Sequence, residues 1–391
     1  MKHKNIKICH ITRDVNPNYS IWFGGVPSWI KLICEELEKR NYIFSYITPK
    51  AKITKSKTKA HIYRFKMGIS KLLSRIASFF FIFRNVKKHK VDLIHLHLLS
   101  TLSELEIFLL KKIFKIPIIA TCYSDIRTSK ILNLYYKIFR KTFLDKIITI
   151  NTNLMRILKK YGISKKKLVK IPVVPDRKFY SLDDSNSINI RKINLEKNKT
   201  YILFSAGSRR EMGIFYIIRE FVNLIKENKR EYENIKFIIT HVSKKSDDRI
   251  IKRLKSFLDR KKLGNFFLFF DHIENMREFL SQIDILVVPI IEFKHKMNSP
   301  KMILEAMLLK KIVIASPYGG ISEIIRSYEN GILIKPQKNN FKDAIKFILK
   351  NKDLTEKLGK QAYKTIIENF EIEEIMNKLD ELYKNIVVKS K

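Results

Sequence analysis

Short apolar runs recur along the chain, separated by stretches in which apolar residues fall three and four apart. In the first half the runs are 5–12, 41–48, 91–97, 116–122 and 146–151, and 169–174 followed by Pro175-Asp176 closes the series. Between the first two runs, Ile30, Ile33, Cys34 and Leu37 recur at helical spacing over 26–40. A polar stretch at 180–200 follows, and the pattern then begins again. Strands are expected at 201–206, 235–241, 266–270 and 283–289, a turn at 207–210 and a helix at 213–227. Helical patterns at 341–350, 353–367 and 371–386 end the chain. Strands alternating with helices specify parallel, doubly wound sheets. The expected fold is therefore α/β, with two Rossmann-like domains facing a central cleft where carboxyl strand ends converge. The expected boundaries are 1–180, a linker at 181–200, a second domain at 201–370, and a C-terminal helix and tail at 371–391.

The densest pattern lies at 298–331. Ser299 suits an N-cap and Pro300 the first helical turn, so a helix should begin there with unpaired N–H groups that suit a phosphate. Met302, Ile303, Leu304, Ala306, Met307, Leu308 and Leu309 make that helix apolar almost all round, and Glu305 interrupts them. A carboxylate in a buried helix costs free energy unless it is paired. On the residues alone two readings stand: a functional carboxylate, or an ion pair with Lys301 four residues back. A short buried strand at 311–316, a Gly319-Gly320 turn, a helix start at Ser322-Glu323 and an Asn330-Gly331 turn follow.

Composition narrows the setting. A chain of 391 residues with 45% hydrophobic content buries a sizeable core. Cys9, Cys34 and Cys122 have no metal-type spacing and imply a reducing compartment. No signal-peptide core opens the chain and no run is long enough to span a bilayer, so a cytoplasmic location is expected, extending to the inner face of the cell membrane. The net charge of +40 is spread along the whole chain, with no recognisable nucleic-acid module, so no nucleic acid is expected as partner. Such a charge still attracts anionic lipid, by about 1 kcal/mol per basic residue near the surface. Over 66–90, Leu72, Leu73, Ile76, Phe80 and Phe83 recur at helical spacing beside Lys66, Lys71, Arg75, Arg84, Lys87 and Lys88. That helix either covers the first sheet or touches an anionic membrane surface, and both hold if one face packs and the rim meets lipid.

The order Pro300-x-x-x-x-Glu305-Ala306-Met307, strand, Gly319-Gly320-x-x-Glu323, Asn330-Gly331 resembles the C-terminal signature of family-four retaining glycosyltransferases of the GT-B fold. The Gly24-Gly25 loop, Asp92-x-x-His95, and the segment from Gly162 through Ile171-Pro172 to Pro175-Asp176 resemble other parts of that family, so the likeness covers most of the chain. It implies that Glu305 hydrogen-bonds the donor ribose and that residues 299–303 meet the phosphates. It also implies that His272 lies where the nucleotide base packs, that Gly24, Gly25 and Asn298 belong to the same site, with Asp14 facing the same cleft to meet acceptor or donor, and that the last helix crosses back to the first domain. A lone histidine such as His272, like His95 and His97, equally fits a structural role.

The chain departs from the family at four points. The first of two expected glutamates is Met297, and the expected Lys-Gly is Met212-Gly213, leaving Arg209 and Arg210 as local cations. A Gly-x-Gly after a later strand reads Thr240-His241-Val242. A Thr-x-His strand end reads Thr121-Cys122-Tyr123, where Tyr123 or Asp125 either replaces the histidine or merely ends the strand. Asp183-Asp184 and Asp247-Asp248 read as solvated loop residues, and there is no Asp-x-Asp, so no metal and no cofactor are expected. Arginines and a helix start would stabilise the leaving diphosphate. The expected activity is transfer from a nucleotide sugar to a glycan or lipid-linked acceptor in cell-surface polysaccharide synthesis. A nucleotide-sugar epimerase or hydrolase, and a non-catalytic nucleotide-sugar-binding subunit, are the alternatives.

Overall fold

The computed structural model describes residues 5–12, 25–48, 61–64, 71–97, 102, 104–123, 142–180, 195–196, 198–205, 210–240, 245–270, 273, 275–292 and 301–390. The chain divides into two units. One comprises Met1–Val174 and Ile372–Lys391, the other Pro175–Lys294 and Pro300–Glu371.

Unit 1 holds seven parallel strands: β1 (Ile6–Thr12), β2 (Tyr42–Thr48), β3 (His61–Arg64), β4 (Leu93–His97), β5 (Ile118–Cys122), β6 (Lys146–Thr149) and β7 (Leu168–Lys170). Their order in the sheet is β3-β2-β1-β4-β5-β6-β7. Unit 2 holds six: β8 (Thr200–Ser205), β9 (Ile235–Thr240), β10 (Phe267–Phe270), β11 (Ile285–Val288), β12 (Ile312–Ala315) and β13 (Ile332–Leu333), in the order β10-β9-β8-β11-β12-β13. Counted from its own first strand, each sheet contains the doubly wound order 3-2-1-4-5-6, to which unit 1 adds a seventh strand at the edge. The strands are mostly apolar because both faces are covered; β4, β5 and β11 are buried at every position.

The likeness of the halves reaches single residues. Asp92, just before β4, accepts a hydrogen bond from the Lys7 N–H of β1 at 2.9 Å. Asp284, just before β11, accepts one from the Tyr201 N–H of β8 at 2.8 Å. In both sheets a carboxylate at the amino end of the fourth strand satisfies a strand-edge donor of the first. Asp145 repeats the device between β6 and β5, accepting from Ile118 N–H at 2.8 Å.

Several expectations need correction. β3 and β13 were not anticipated; both are short and add to an edge already defined by longer neighbours. The closing run of unit 1 is shorter than expected, a strand over Leu168–Lys170. Ser322-Glu323 starts no α-helix, because only a 3-10 turn, Ile321–Glu323, forms there. Asp247-Asp248 lies within the helix Lys245–Arg260, where acidic residues of a first turn suit the helix dipole.

The last helix, Ile372–Ser390, belongs to unit 1. Arg40 holds it through Glu373 at 2.8 Å and Asn377 at 2.7 Å, and the Tyr42 hydroxyl donates to Asp380 at 2.6 Å. The expected return to the first domain is therefore present. Among the described residues no helix is long and apolar enough to cross a membrane.

Candidate functional site

In unit 2 the chemistry gathers where the chain leaves the carboxyl ends of β8 and β11. After β8 comes a 3-10 turn, Arg210–Met212, and then Gly213, which sits at φ 87°. A Cβ at Gly213 would stand 2.2 Å from the Pro289 carbonyl oxygen, so only glycine fits. Met212 is buried at 2% exposure, so the position where the family carries a cation is part of the core here. Arg210 is exposed, with its guanidinium 5.7 Å from the centroid of the Phe215 ring.

After β11 the helix Lys301–Leu308 begins. Ile303 and Glu305 through Leu308 are buried together with Lys301 and Leu304, and only Met302 is half-buried. Lys301 Nζ donates to Asp176 Oδ1 at 2.7 Å and stands 3.6 Å from Glu305 Oε1. Both sequence readings of Glu305 therefore survive: the ion pair exists, and a buried carboxylate remains at the site. Burial drives the Glu305 pKa up, and Asp176 adds to the rise; Lys301 opposes it, and the net result is about 7. A carboxylate poised in this way accepts hydrogen bonds from a ligand hydroxyl when ionised and donates one when neutral.

The Asn330-Gly331 turn is a structural staple. Asn330, 1% exposed, accepts from Arg326 N–H at 2.7 Å and donates to Ile324 O and Thr365 Oγ1, each at 3.0 Å. Glu323 meets the glycine turn through its backbone, donating to Gly320 O at 3.2 Å.

In unit 1 the carboxyl end of the sheet carries a different cluster. His10 on β1 pairs in register with His95 on β4, and His97 lies two residues on, so all three rings share one face. His10 Nδ1 and His97 Nε2 share a hydrogen bond of 2.6 Å. His97 Nδ1 meets the Tyr123 hydroxyl at 2.9 Å, while His95 meets the Tyr383 and Thr121 hydroxyls, each at 2.7 Å. Burial lowers the pKa of His10 to about 3 and that of His95 and His97 well below the usual range, so the rings are neutral. The hydroxyls of Tyr123 and Tyr383 are pushed well above theirs by the same burial.

One donor nitrogen from each histidine lies within 4.8 Å of the others, a spacing that admits a metal ion. Two nitrogens on a tetrahedral zinc, each about 2.0–2.1 Å from it, stand about 3.3 Å apart. The His10–His97 separation is shorter than that, and a shared proton closes it. As placed, the cluster is a neutral hydrogen-bond network. Sequence reasoning took His95 and His97 singly and missed it, because only the β1–β4 register brings His10 alongside.

Of the residues expected at the site, the structure brings Lys301, Met302, Ile303 and Glu305 together on one helix and adds Asp176 as the partner of Lys301. Arg210 lies on the turn after β8. Tyr123, at 3% exposure, turns its hydroxyl to His97. Gly25 opens the helix Gly25–Glu38. Gly24, Asp125, Arg209, His272, Asn298, Ser299 and Pro300 lie outside the described residues, as do Asp14 and residues 181–194 of the expected linker.

Comparison with known proteins follows the division into units. The family model for Glycosyltransferase Family 4 matches residues 23–174, and that for Glycosyl transferases group 1 matches residues 185–365. A glycosyltransferase from Rickettsia africae is similar in structure, with a TM-score of 0.79 and 18% identity over 98% of this chain and 99% of that one. Sucrose-phosphate synthase from Thermosynechococcus elongatus gives 0.78 and 17%, over 98% of this chain and all (100%) of that one. Anabaena HepE in complex with UDP and glucose gives 0.75 and 14%, over 97% of this chain and 100% of that one. At these identities the likeness is one of fold. No curated protein sequence matches the chain.

Proposed function

The chain belongs to the group 1 glycosyltransferases of the GT-B fold, and on that premise we propose that it moves a sugar from a nucleotide-diphosphate sugar to a glycan or lipid-linked acceptor in cell-surface polysaccharide synthesis, with retention and without a metal. The observation that carries the donor half of this reading is Glu305: a buried carboxylate on the helix after β11, beside Lys301 and Asp176, whose pKa burial pushes up to about 7 against the opposing Lys301 charge. Glu305 accepts from the hydroxyls of the donor ribose. Backbone groups at the start of that helix meet the phosphates. Arg209 and Arg210, following β8, neutralise charge as the diphosphate leaves. The acceptor hydroxyl attacks from the donor's own face. The HepE complex with UDP and glucose makes uridine nucleotides the first probes to use.

The test is incubation with radiolabelled nucleotide sugars, with and without a lipid extract as acceptor source and with and without EDTA. Transfer that requires acceptor and survives EDTA is expected, with the anomeric configuration of the product, read by NMR, the same as the donor's. Consumption of donor to a released or epimerised sugar without acceptor overturns the transferase reading in favour of the hydrolase or epimerase.

For the setting, we propose attachment to an anionic membrane surface through unit 1. The helices Lys71–His89 and Glu104–Phe114 pack together through Phe83 and Phe114, whose rings are 4.9 Å apart. Outward they expose Phe80, Leu105, Phe108 and Ile113, rimmed by exposed Arg84, Lys87, Lys88 and Lys112. Apolar groups with a basic rim suit a lipid interface. Co-sedimentation with phosphatidylglycerol vesicles, but not with phosphatidylcholine vesicles, is expected; equal recovery with both removes this part of the proposal.

A further inference from the structure

Glu305 faces three charged groups, Lys301, Asp176 and Lys178, and the last two lie far off in sequence. Asp176 follows β7 in the segment that opens unit 2 and precedes the 3-10 turn Arg177–Phe179. That turn is anchored. Phe179 is 3% exposed, and the Tyr180 hydroxyl donates to Phe370 O at 2.6 Å. The turn that follows Asp176 is therefore tied to Phe370, a residue outside the helix Lys301–Leu308.

The geometry divides one ammonium unequally between two carboxylates. Lys301 Nζ makes a full hydrogen bond to Asp176 at 2.7 Å and only a loose ion pair with Glu305 at 3.6 Å. With Lys301 and Glu305 both buried, the loose contact leaves Glu305 with acceptor capacity that a tight pair would have consumed. Lys301 and Glu305 lie one turn apart on the same face of the helix, so nothing in the helix itself holds the two apart.

We propose that Asp176 is a positioning residue for donor binding: by engaging Lys301 it keeps the Glu305 carboxylate open to the hydroxyls of a nucleoside diphosphate. The inference rests on the reading of Glu305 as a donor ligand. Without the Asp176 charge, Lys301 closes on Glu305, and the carboxylate is tied up before a ligand arrives. The charged groups that face Glu305 are Lys301, Asp176 and Lys178. Asp176 raises the Glu305 pKa and the two lysines lower it, so removing Asp176 moves the titration of Glu305 to lower pH.

The experiment is calorimetric titration of UDP into the full chain between pH 5.5 and 8.5, with ADP and GDP as parallel probes. Wild-type affinity is expected to rise with pH through an inflection near 7, as Glu305 ionises. Glu305→Gln should bind about tenfold more weakly at high pH and lose the inflection, the effect of one hydrogen bond to a charged group. Asp176→Asn should also bind about tenfold more weakly at pH 8, with its inflection moved to lower pH, and Asp176→Glu should restore both. Asp176→Ser replaces Asp176→Asn if that variant fails to fold. Unchanged binding by Glu305→Gln overturns the donor-ligand reading itself. Weakened binding by Glu305→Gln, with affinity and inflection unmoved in Asp176→Asn, overturns the positioning role and leaves the ligand reading intact.

Discussion

Both units bury a polar cluster near the carboxyl end of their sheet, yet the clusters differ in kind. Unit 1 holds the neutral rings of His10, His95 and His97, with His10 bonded to His97, His97 to the Tyr123 hydroxyl, and His95 to the hydroxyls of Thr121 and Tyr383. Unit 2 holds three charges, Lys301, Asp176 and Glu305, with one contact tight and one loose. Buried neutral groups that satisfy one another are stable and have little to offer a ligand. In the second cluster Lys301 and Glu305 are buried and Asp176 is half-buried, and two carboxylates share one ammonium, which leaves Glu305 able to take a hydrogen bond from a hydroxyl-bearing ligand. The same topology thus carries a neutral network in one half and, on the proposed reading, a ligand-facing ionic cluster in the other. Tyr383, which reaches His95 from the last helix, ties the end of the chain to the neutral cluster.

Acidification should separate the clusters most strongly, because its sign is opposite in the two. The three histidines are neutral when folded and take up protons below about pH 6.5 when unfolded. Their contribution is full above that pH and is lost as pH falls toward the folded values. For three groups the loss approaches about 4 kcal/mol per pH unit. Glu305 has a raised pKa, so its contribution is full below about pH 4.3, the unfolded value, and is lost as pH rises through about 7. Hydrogen exchange read by mass spectrometry at pH 7.5 and 5.5 should show unit 1 opening on acidification while the segment around Lys301–Leu308 becomes better protected. Parallel loss of protection in both would break the comparison.

Next in size is Tyr383→Phe. It removes a hydroxyl from buried His95 Nδ1 and should cost about 1–3 kcal/mol of stability in chemical denaturation. Glu305→Gln should leave stability level or slightly raised, since it removes a carboxylate whose burial is unfavourable. A large loss in that variant would mean that the ionic cluster also holds the fold together. The smallest effect should come from zinc. Added at low micromolar concentration, it should leave the melting temperature unchanged, because the His10–His97 contact must break before a metal fits. A clear rise would make the histidines a metal site.

Much of this was legible in the sequence, because parallel strands buried on both faces are continuous apolar runs. β1, β2, β4, β5, β6, β8, β9, β10, β11 and β12 fall within about two residues of expectation at most ends. β3 and β13 are too short to carry a period of their own. The helix Lys245–Arg260 is amphipathic but heavily charged, and its pattern was passed over. At the site, the helix around Glu305 and its pairing with Lys301 could be read locally, since the partners lie four residues apart. Asp176 was noted only as the end of a segment. Its contact with Lys301 spans 125 residues and depends on how β7 leads into unit 2. Glu220 was missed for the same reason. It looks like a surface position in a helix, but it is fully buried and accepts from Asn339 and Lys342 N–H, each at 3.1 Å, at the start of the helix Asn340–Lys350. Register and long-range caps are properties of the folded chain.

Calorimetric titration of UDP at pH 8 into wild type, Glu305→Gln and Tyr383→Phe tests the contrast between the clusters most directly. The account predicts that Tyr383→Phe binds as wild type despite its lower stability, while Glu305→Gln binds about tenfold more weakly with its fold intact. Equal binding by Glu305→Gln and wild type, or a matching loss in Tyr383→Phe, would contradict it.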